Sequence, residues 1–329
     1  MNCTLPLVTV GVPCYNHARF VADSLDSIRA QEYANMQLII VDDKSSDDSV
    51  NVIEKWIRQH QAKVEFIKHG ENQGICRTLN EMVSLAKGKY IAWLSSDDVW
   101  LPQKLREHVE MLERLPEAVG VVYSDAYQIS EDGGRLPEMF IATQRQLLLP
   151  PEGRIFDALV EGNFIPGMTT LIRTRCFETV GGYDESLNFE DWEMWLRISQ
   201  HFDFVFSKIP SALYRIVETS LFRSRQKDIQ TSVDDIYIRL LRKGFLKGRR
   251  RRWAAATLLE RGLHWRERDF RRSVALVFEA LRWDIRPRNL AACLTITLGF
   301  KASAFRWLVS VCRTLKSTCT GIFVRQSHK

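Results

Sequence analysis

The sequence predicts an α/β fold with a mostly parallel central sheet, followed by a basic α-helical region. Three observations carry that expectation. Short apolar runs alternate with helical patterns of about ten to fifteen residues through the first hundred positions, the mark of strand–helix–strand units. Two of the runs stop at paired acids, Asp42-Asp43 and Asp97-Asp98, and sheets of this kind bind ligands at the carboxyl ends of their strands. The charge is also divided. From Leu221 onward 25 Lys and Arg stand against 8 Asp and Glu, and residues 1–220 hold 21 against 32. The net +6 therefore hides an acidic N-terminal part and a strongly basic C-terminal one.

Residues 8–13 form the first strand candidate, ended by Pro13. Phe20, Val21, Leu25 and Ile28 have helical spacing over 18–31. Residues 37–41 are a second strand, stopped by Asp42-Asp43. Val52, Ile53, Trp56 and Ile57 mark a helix over 49–60, and residues 64–67 a third strand. Ile75, Leu79, Met82, Val83 and Leu85 give a helix over 74–86. The run from Tyr90 to Leu94 is rich in aromatic and branched residues and leads into Asp97-Asp98; it predicts a buried strand. Beyond Pro102 follow a helix to Leu115 and a strand at 119–123. Residues 131–152 are rich in turn formers and predict a mobile loop. A strand at 169–172, a turn at 181–184 and a helix over 191–202 complete the first part. Long, basic, amphipathic helices are expected from about Val233. The expected domains are 1–220 and 221–329.

The seven cysteines are scattered without a CxxC pair, which argues against a zinc site or a disulfide framework and suits a reducing compartment. The N-terminus shows no basic-then-apolar leader, so the expectation is a cytoplasmic protein, or one peripheral on the inner face of the cell membrane.

Four clusters bear chemistry. In Pro13-Cys14-Tyr15-Asn16 the tyrosine either stacks on a base at the sheet rim or packs in the core. In Asp42-Asp43-Lys44-Ser45-Ser46-Asp47 a carboxylate is placed to accept a pyrimidine N3–H, while the neighbouring Ser and Asp suit helix caps. Asp97-Asp98 repel each other. A hard cation, Mg²⁺ or Mn²⁺, relieves that repulsion and is commonly shared with substrate phosphates; the alternative is a polar turn that caps the next helix. In Asn188-Phe189-Glu190-Asp191-Trp192 two acids begin a helix. Either suits a general base, or both simply favour a helix N-terminus.

The order of these clusters resembles family 2 of the glycosyltransferases, with its GT-A nucleotide-sugar fold. The resemblance rests on Val8-Thr9-Val10 to Asn16, Ile39 to Asp47, Glu71-Asn72-Gln73-Gly74 with Asn80, Gly88 to Asp98, and Gly181 to Arg197. It implies an inverting transfer of a sugar from a nucleotide sugar, usually a UDP-sugar, to a hydroxyl of a growing glycan, lipid-linked in some cases. It implies that Pro13, Tyr15, Asp42 and Asp43 hold the nucleobase and that Arg77 approaches the ribose or diphosphate. Asp97 would meet the ribose or the metal's water shell, Asp98 the metal itself. Asp191 would be the base, with Glu190 as its neighbour and second candidate. Two positions depart from the pattern: Ser95 stands where the family often has the first acid of Asp-x-Asp-Asp, and Val217 where many members have a histidine after Tyr214-Arg215-Ile216. Arg215, Arg223 and Arg225 are substitutes at the phosphates. The alternative reading is a silent nucleotide-sugar sensor or scaffold, which would need no base. A nucleotidyltransferase would show a Gly-rich phosphate loop, and none is present.

In the C-terminal part, Arg249 to Arg252 stand beside Trp253, a pairing suited to an anionic lipid surface. Nucleic acid is not an expected partner, because no nucleic-acid module is recognisable. Leu290 to Cys312 is apolar but interrupted by Lys301 and Arg306, so a helix in the membrane interface is expected rather than a spanning one. The competing expectation is a packed helical hairpin, with a faint likeness to tetratricopeptide helix pairs.

Overall fold

Parallel strands cannot be joined by a tight turn, so each apolar run must be followed by a crossover helix that returns the chain to the same sheet edge. The computed structural model follows this rule through its first four strands. It describes residues 5–145, 147, 149–217 and 226–286. These fall in two compact units, Met1–Gln226 and Lys227–Lys329.

The first unit opens with β1 (Val8–Cys14), α1 (Val21–Arg29), β2 (Met36–Asp42), α2 (Ser49–His60), β3 (Val64–Lys68), α3 (Ile75–Leu85) and β4 (Tyr90–Trp93). β1 lies between β2 and β4, with β3 outside β2, and all these pairs are parallel. The register sets Cys14 opposite Asp42 and Asp42 opposite Lys68. The residues that follow these strands therefore emerge on one rim. Gly11 is required in the middle of β1. A Cβ there would stand 2.3 Å from the Trp93 ring and 2.8 Å from Met82 Sδ.

The chain continues through β5 (Val99–Trp100), α4 (Lys104–Arg114), β6 (Val119–Ile129), β7 (Arg135–Met139), α5 (Phe140–Gln144), α6 (Phe156–Val160), β8 (Leu171–Arg173), α7 (Arg175–Val180), α8 (Asp191–Ile198) and β9 (Asp203–Arg215). The sheet order is β3-β2-β1-β4-β8-β6-β9-β5, with β7 on β6. β8 runs antiparallel to both neighbours, and β9 is parallel to β6. The segment expected as a mobile loop thus contains β7 and α5. Its turn formers are real, but Pro137 lies in a strand paired on one side only, where a missing N–H is tolerated.

The interior also buries groups that resist burial. Lys104 and His108, one turn apart on α4, are fully buried. The Lys104 ammonium donates to the Thr170 carbonyl at 3.1 Å and lies 4.1 Å from the centre of a Trp100 ring. Neither ring nitrogen of His108 has a hydrogen-bond partner among the described residues. Burial, with Lys104 nearby, pushes the His108 pKa well below its ordinary value. The folded state holds the imidazole neutral while the unfolded chain binds a proton below about pH 6.5. This group's stability contribution is therefore complete above that pH and is lost as pH falls below it. His108→Phe is expected to raise stability by about 1–2 kcal/mol and to flatten the loss between neutral and mildly acidic pH. Thermal melts at two pH values check this, and equal pH slopes for both proteins would contradict it.

The second unit carries α9 (Gln226–Arg242), α10 (Gly248–Trp265) and α11 (Phe270–Trp283). Its helices begin slightly earlier than the hydrophobic pattern suggests. Buried Asp234 on α9 accepts from Trp265 Nε1 at 2.8 Å and pairs with Arg261 and Arg272, tying the three helices together. Ser273 Oγ donates to the Gly262 carbonyl at 2.6 Å, where α10 and α11 approach closely. Arg249 to Arg252 and Trp253 are exposed. The segment Leu290 to Cys312, and Arg223 and Arg225, lie outside the described residues. Among the described residues no helix is long and apolar enough to cross a membrane.

Candidate active site

The turn after β1 and the turn after β2 are stitched together by short polar side chains. Asn16 takes a left-handed φ of 57°. Its amide N–H donates to Ser45 Oγ, and its side-chain oxygen accepts from Ser46 N–H. The backbone N–H of His17 donates to Ser49 Oγ at 3.0 Å. These contacts hold Pro13, Tyr15 and His17 at the wall of a cavity of about 310 Å³, with Asp43, residues 72–78, Ser95, Ser96, Glu185, Leu187 and Asn188 around it.

The two members of each acid pair have different surroundings. Asp42 is buried and turned away from the cavity, accepting from the backbone N–H and the hydroxyl of Ser45. It shapes the turn, so the expected contact with a nucleobase falls to Asp43. Asp43 Oδ1 accepts from His69 Nδ1 and Gln73 N–H, both at 2.7 Å, and Oδ2 accepts from Gly74 N–H at 2.8 Å. His69 is itself clamped, with Glu81 at 2.7 Å on its other nitrogen. Burial lowers the His69 pKa, but the bonds to Asp43 and Glu81 outweigh it and raise it overall. Gly74 adopts a φ of 86° as it enters α3, a conformation other residues reach only with strain.

Asp98 is 1% exposed, and its Oδ1 accepts from the backbone N–H of Arg215 at 2.9 Å. Asp97 sits on the open side of the turn, with Oδ2 3.7 Å from Nε2 of the cavity-lining His17. The expectation that Asp98 holds a metal does not match this placement, because its carboxylate faces the interior and joins the turn to β9. Arg215 does not reach for phosphate either. It is buried, donates to the carbonyls of Asp97 and Glu131, and lies over the Phe20 ring. Arg77 does line the cavity, and its Nε donates to Glu185 at 3.1 Å.

Glu190 and Asp191 stand at the start of α8, just after the cavity-lining segment 185–188. Asp191 Oδ2 accepts from Asn163 Nδ2 at 2.7 Å, and Oδ1 from the Trp192 N–H at 2.6 Å. Burial raises both acids' pKa, and the neighbouring Asp191 charge raises Glu190 further. Burial also pushes the Cys14 and Cys76 thiols at the cavity up to about 12, so neither is a thiolate near neutral pH.

His17, His69 and Asn163 carry no signal in the sequence that separates them from ordinary polar residues. Only the fold brings them to Asp97, Asp43 and Asp191.

The model of the family described as "Glycosyl transferase family 2" matches residues 9–181, more than half of the chain. The chain belongs to glycosyl transferase family 2. An uncharacterized glycosyltransferase of Rickettsia felis is 30% identical over 208 residues, 62% of this chain and 34% of the relative. The chain thus spans about a third of that relative's length. Among solved structures, Staphylococcus aureus TarS 1–349 in complex with UDP-GlcNAc aligns with a TM-score of 0.64 at 16% identity, over 89% of each chain. The mannosyltransferase PcManGT of Pyrobaculum calidifontis, in complex with GDP-Man and Mn²⁺, aligns with a TM-score of 0.56 at 16% identity, over 97% of this chain and 87% of that one. These likenesses establish the GT-A fold for this family 2 chain.

Among the described residues no three His, Cys, Asp or Glu side chains gather into a metal cage. The donors present fit a different arrangement, a cation shared with substrate phosphates. Asp97 offers a hard oxygen donor with a 15% exposed side chain, and such ions are commonly held by one or two carboxylates plus phosphate oxygens.

Proposed function

We propose that this family 2 member is an inverting glycosyltransferase that moves a sugar from a UDP-sugar to an acceptor hydroxyl. The observation that carries the reading is the Asp191 carboxylate. It is oriented by Asn163 and by a backbone N–H, and lies beside a second acid, Glu190. A binder has no use for a raised carboxylate fixed in this way; a general base has. Asp191 takes the acceptor hydroxyl's proton as its oxygen attacks the anomeric carbon; the bond from that carbon to the UDP phosphate oxygen breaks, UDP leaves, and direct displacement inverts the centre. Asp97 would hold a Mg²⁺ or Mn²⁺ ion, which when bound would supply neutralising charge to the diphosphate. Asp98 and Arg215 keep Asp97 in place.

Hydrogen-bond arithmetic at Asp43 supports uracil as the base. A carboxylate offers about four acceptor sites. His69, Gln73 and Gly74 occupy three of them, which leaves one on Oδ2. Uracil presents a single imide N–H, whereas guanine presents two adjacent donors to the same edge. Calorimetric titration with UDP and GDP is expected to give UDP an affinity at least about tenfold higher, near the ~1.4 kcal/mol that separates such constants. Equal or tighter GDP binding would overturn the uracil assignment. Release of UDP from a panel of UDP-sugars, with a glycan acceptor present, tests the transfer itself. We assign the acceptor to a growing glycan, free or lipid-linked, and the exposed Arg249–Arg252 face to an anionic membrane surface. On this reading the catalytic domain is 1–220 and the basic helical one 221–329.

A further inference from the structure

The turn that carries Asp97 holds a second group suited to a metal. His17 Nε2 lies 3.7 Å from Asp97 Oδ2. That is too long for a hydrogen bond. Neighbouring ligands on an octahedral ion, with bonds of about 2.1 Å at about 90°, stand about 3.0 Å apart, so a small inward turn of the two side chains would let them share one ion.

The imidazole is held for this purpose. His17 Nδ1 is 2.8 Å from Ser96 Oγ. With Nδ1–H donating to that hydroxyl, the lone pair of Nε2 faces Asp97. Metal-binding histidines are typically oriented through their other ring nitrogen in this manner. The backbone is fixed as well, through the bond to Ser49. Both side chains keep solvent access, 23% for His17 and 15% for Asp97. Ser95 and Ser96 line the same cavity as His17, so a hydroxyl replaces the additional carboxylate on this rim.

We propose that His17 Nε2 and Asp97 together form the protein's share of the cation site, with nucleotide diphosphate oxygens completing it, and that the imidazole favours Mn²⁺ over Mg²⁺. The proposal deepens the reading above and depends on its donor-binding part. Carboxylates, carbonyls and water suit Mg²⁺, whereas imidazole suits transition ions.

The test is pulsed electron paramagnetic resonance on the full chain with Mn²⁺ and UDP. Wild type is expected to show modulation from an imidazole nitrogen on the bound ion. His17→Gln should lose that signal, keep UDP binding, and bind Mn²⁺ at least about tenfold more weakly, with little change for Mg²⁺. Mn²⁺ bound beside UDP without nitrogen modulation in the wild type would overturn the proposal, whatever the variant does. Failure of any Mn²⁺ to bind the UDP-loaded protein would overturn it together with the metal assignment at Asp97. The transfer reaction is judged separately, by UDP release from a UDP-sugar in the presence of acceptor.

Discussion

Asp191→Asn is expected to lower kcat by about 10²- to 10⁴-fold, the usual contribution of a positioned general base, while UDP affinity stays within about twofold. The amide keeps the shape and still meets the Trp192 N–H, but it cannot take a proton. The pair's ionisation also sets the pH profile. Burial raises Asp191 above the ordinary aspartate value, so the base is lost as pH falls through that raised value. Activity should therefore rise with pH at a point above the usual carboxylate range. Glu190→Gln should leave a rising limb in place, because the carboxylate that takes the proton is still present. A near-wild-type Asp191→Asn beside a dead Glu190→Gln would transfer the role to Glu190. Full activity in both would refute inversion by a carboxylate base.

The second large effect separates two neighbours. Asp97→Ala is expected to abolish most metal-dependent transfer and to leave the melting temperature nearly unchanged, because among the described residues its carboxylate meets only His17, at 3.7 Å, and its removal relieves the repulsion with Asp98. Asp98→Ala should behave in the opposite way. It leaves the buried Arg215 N–H without its acceptor, a loss of about 1–3 kcal/mol, and activity should follow the fraction folded. Melts and EDTA-sensitive turnover on both variants check this. A stable but inactive Asp98→Ala, with an active Asp97→Ala, would return the cation to Asp98.

The parallel core was legible because strand and helix differ in hydrophobic period, and the runs from Val8 to Trp93 keep theirs. Legibility stopped where the chain leaves regular geometry. Asp97 and Asp98 lie in a turn between β4 and β5, so strand alternation no longer says which of them faces inward. The same holds for Asp42 and Asp43, where Ser45 captures the first acid. β9 was not anticipated because Lys208 and Pro210 interrupt its pattern. The pairing with β6 shifts between Ser207 and Ala212, and the proline sits in that bulge. The clamp of His69 on Asp43, and of Asn163 on Asp191, joins residues distant in sequence, which no local pattern encodes.

The confinement of Arg215 has a consequence for how charge must be balanced at the rim. Of the described arginines and lysines, only Arg77 lines the cavity, and it already faces Glu185. Among the described residues, a diphosphate entering here meets that one guanidinium, already paired with a carboxylate, and no ammonium. On the proposed reading, the balancing charge comes from the cation beside Asp97. On that reading, folding one arginine inward makes charge balance at this rim depend on a removable ion.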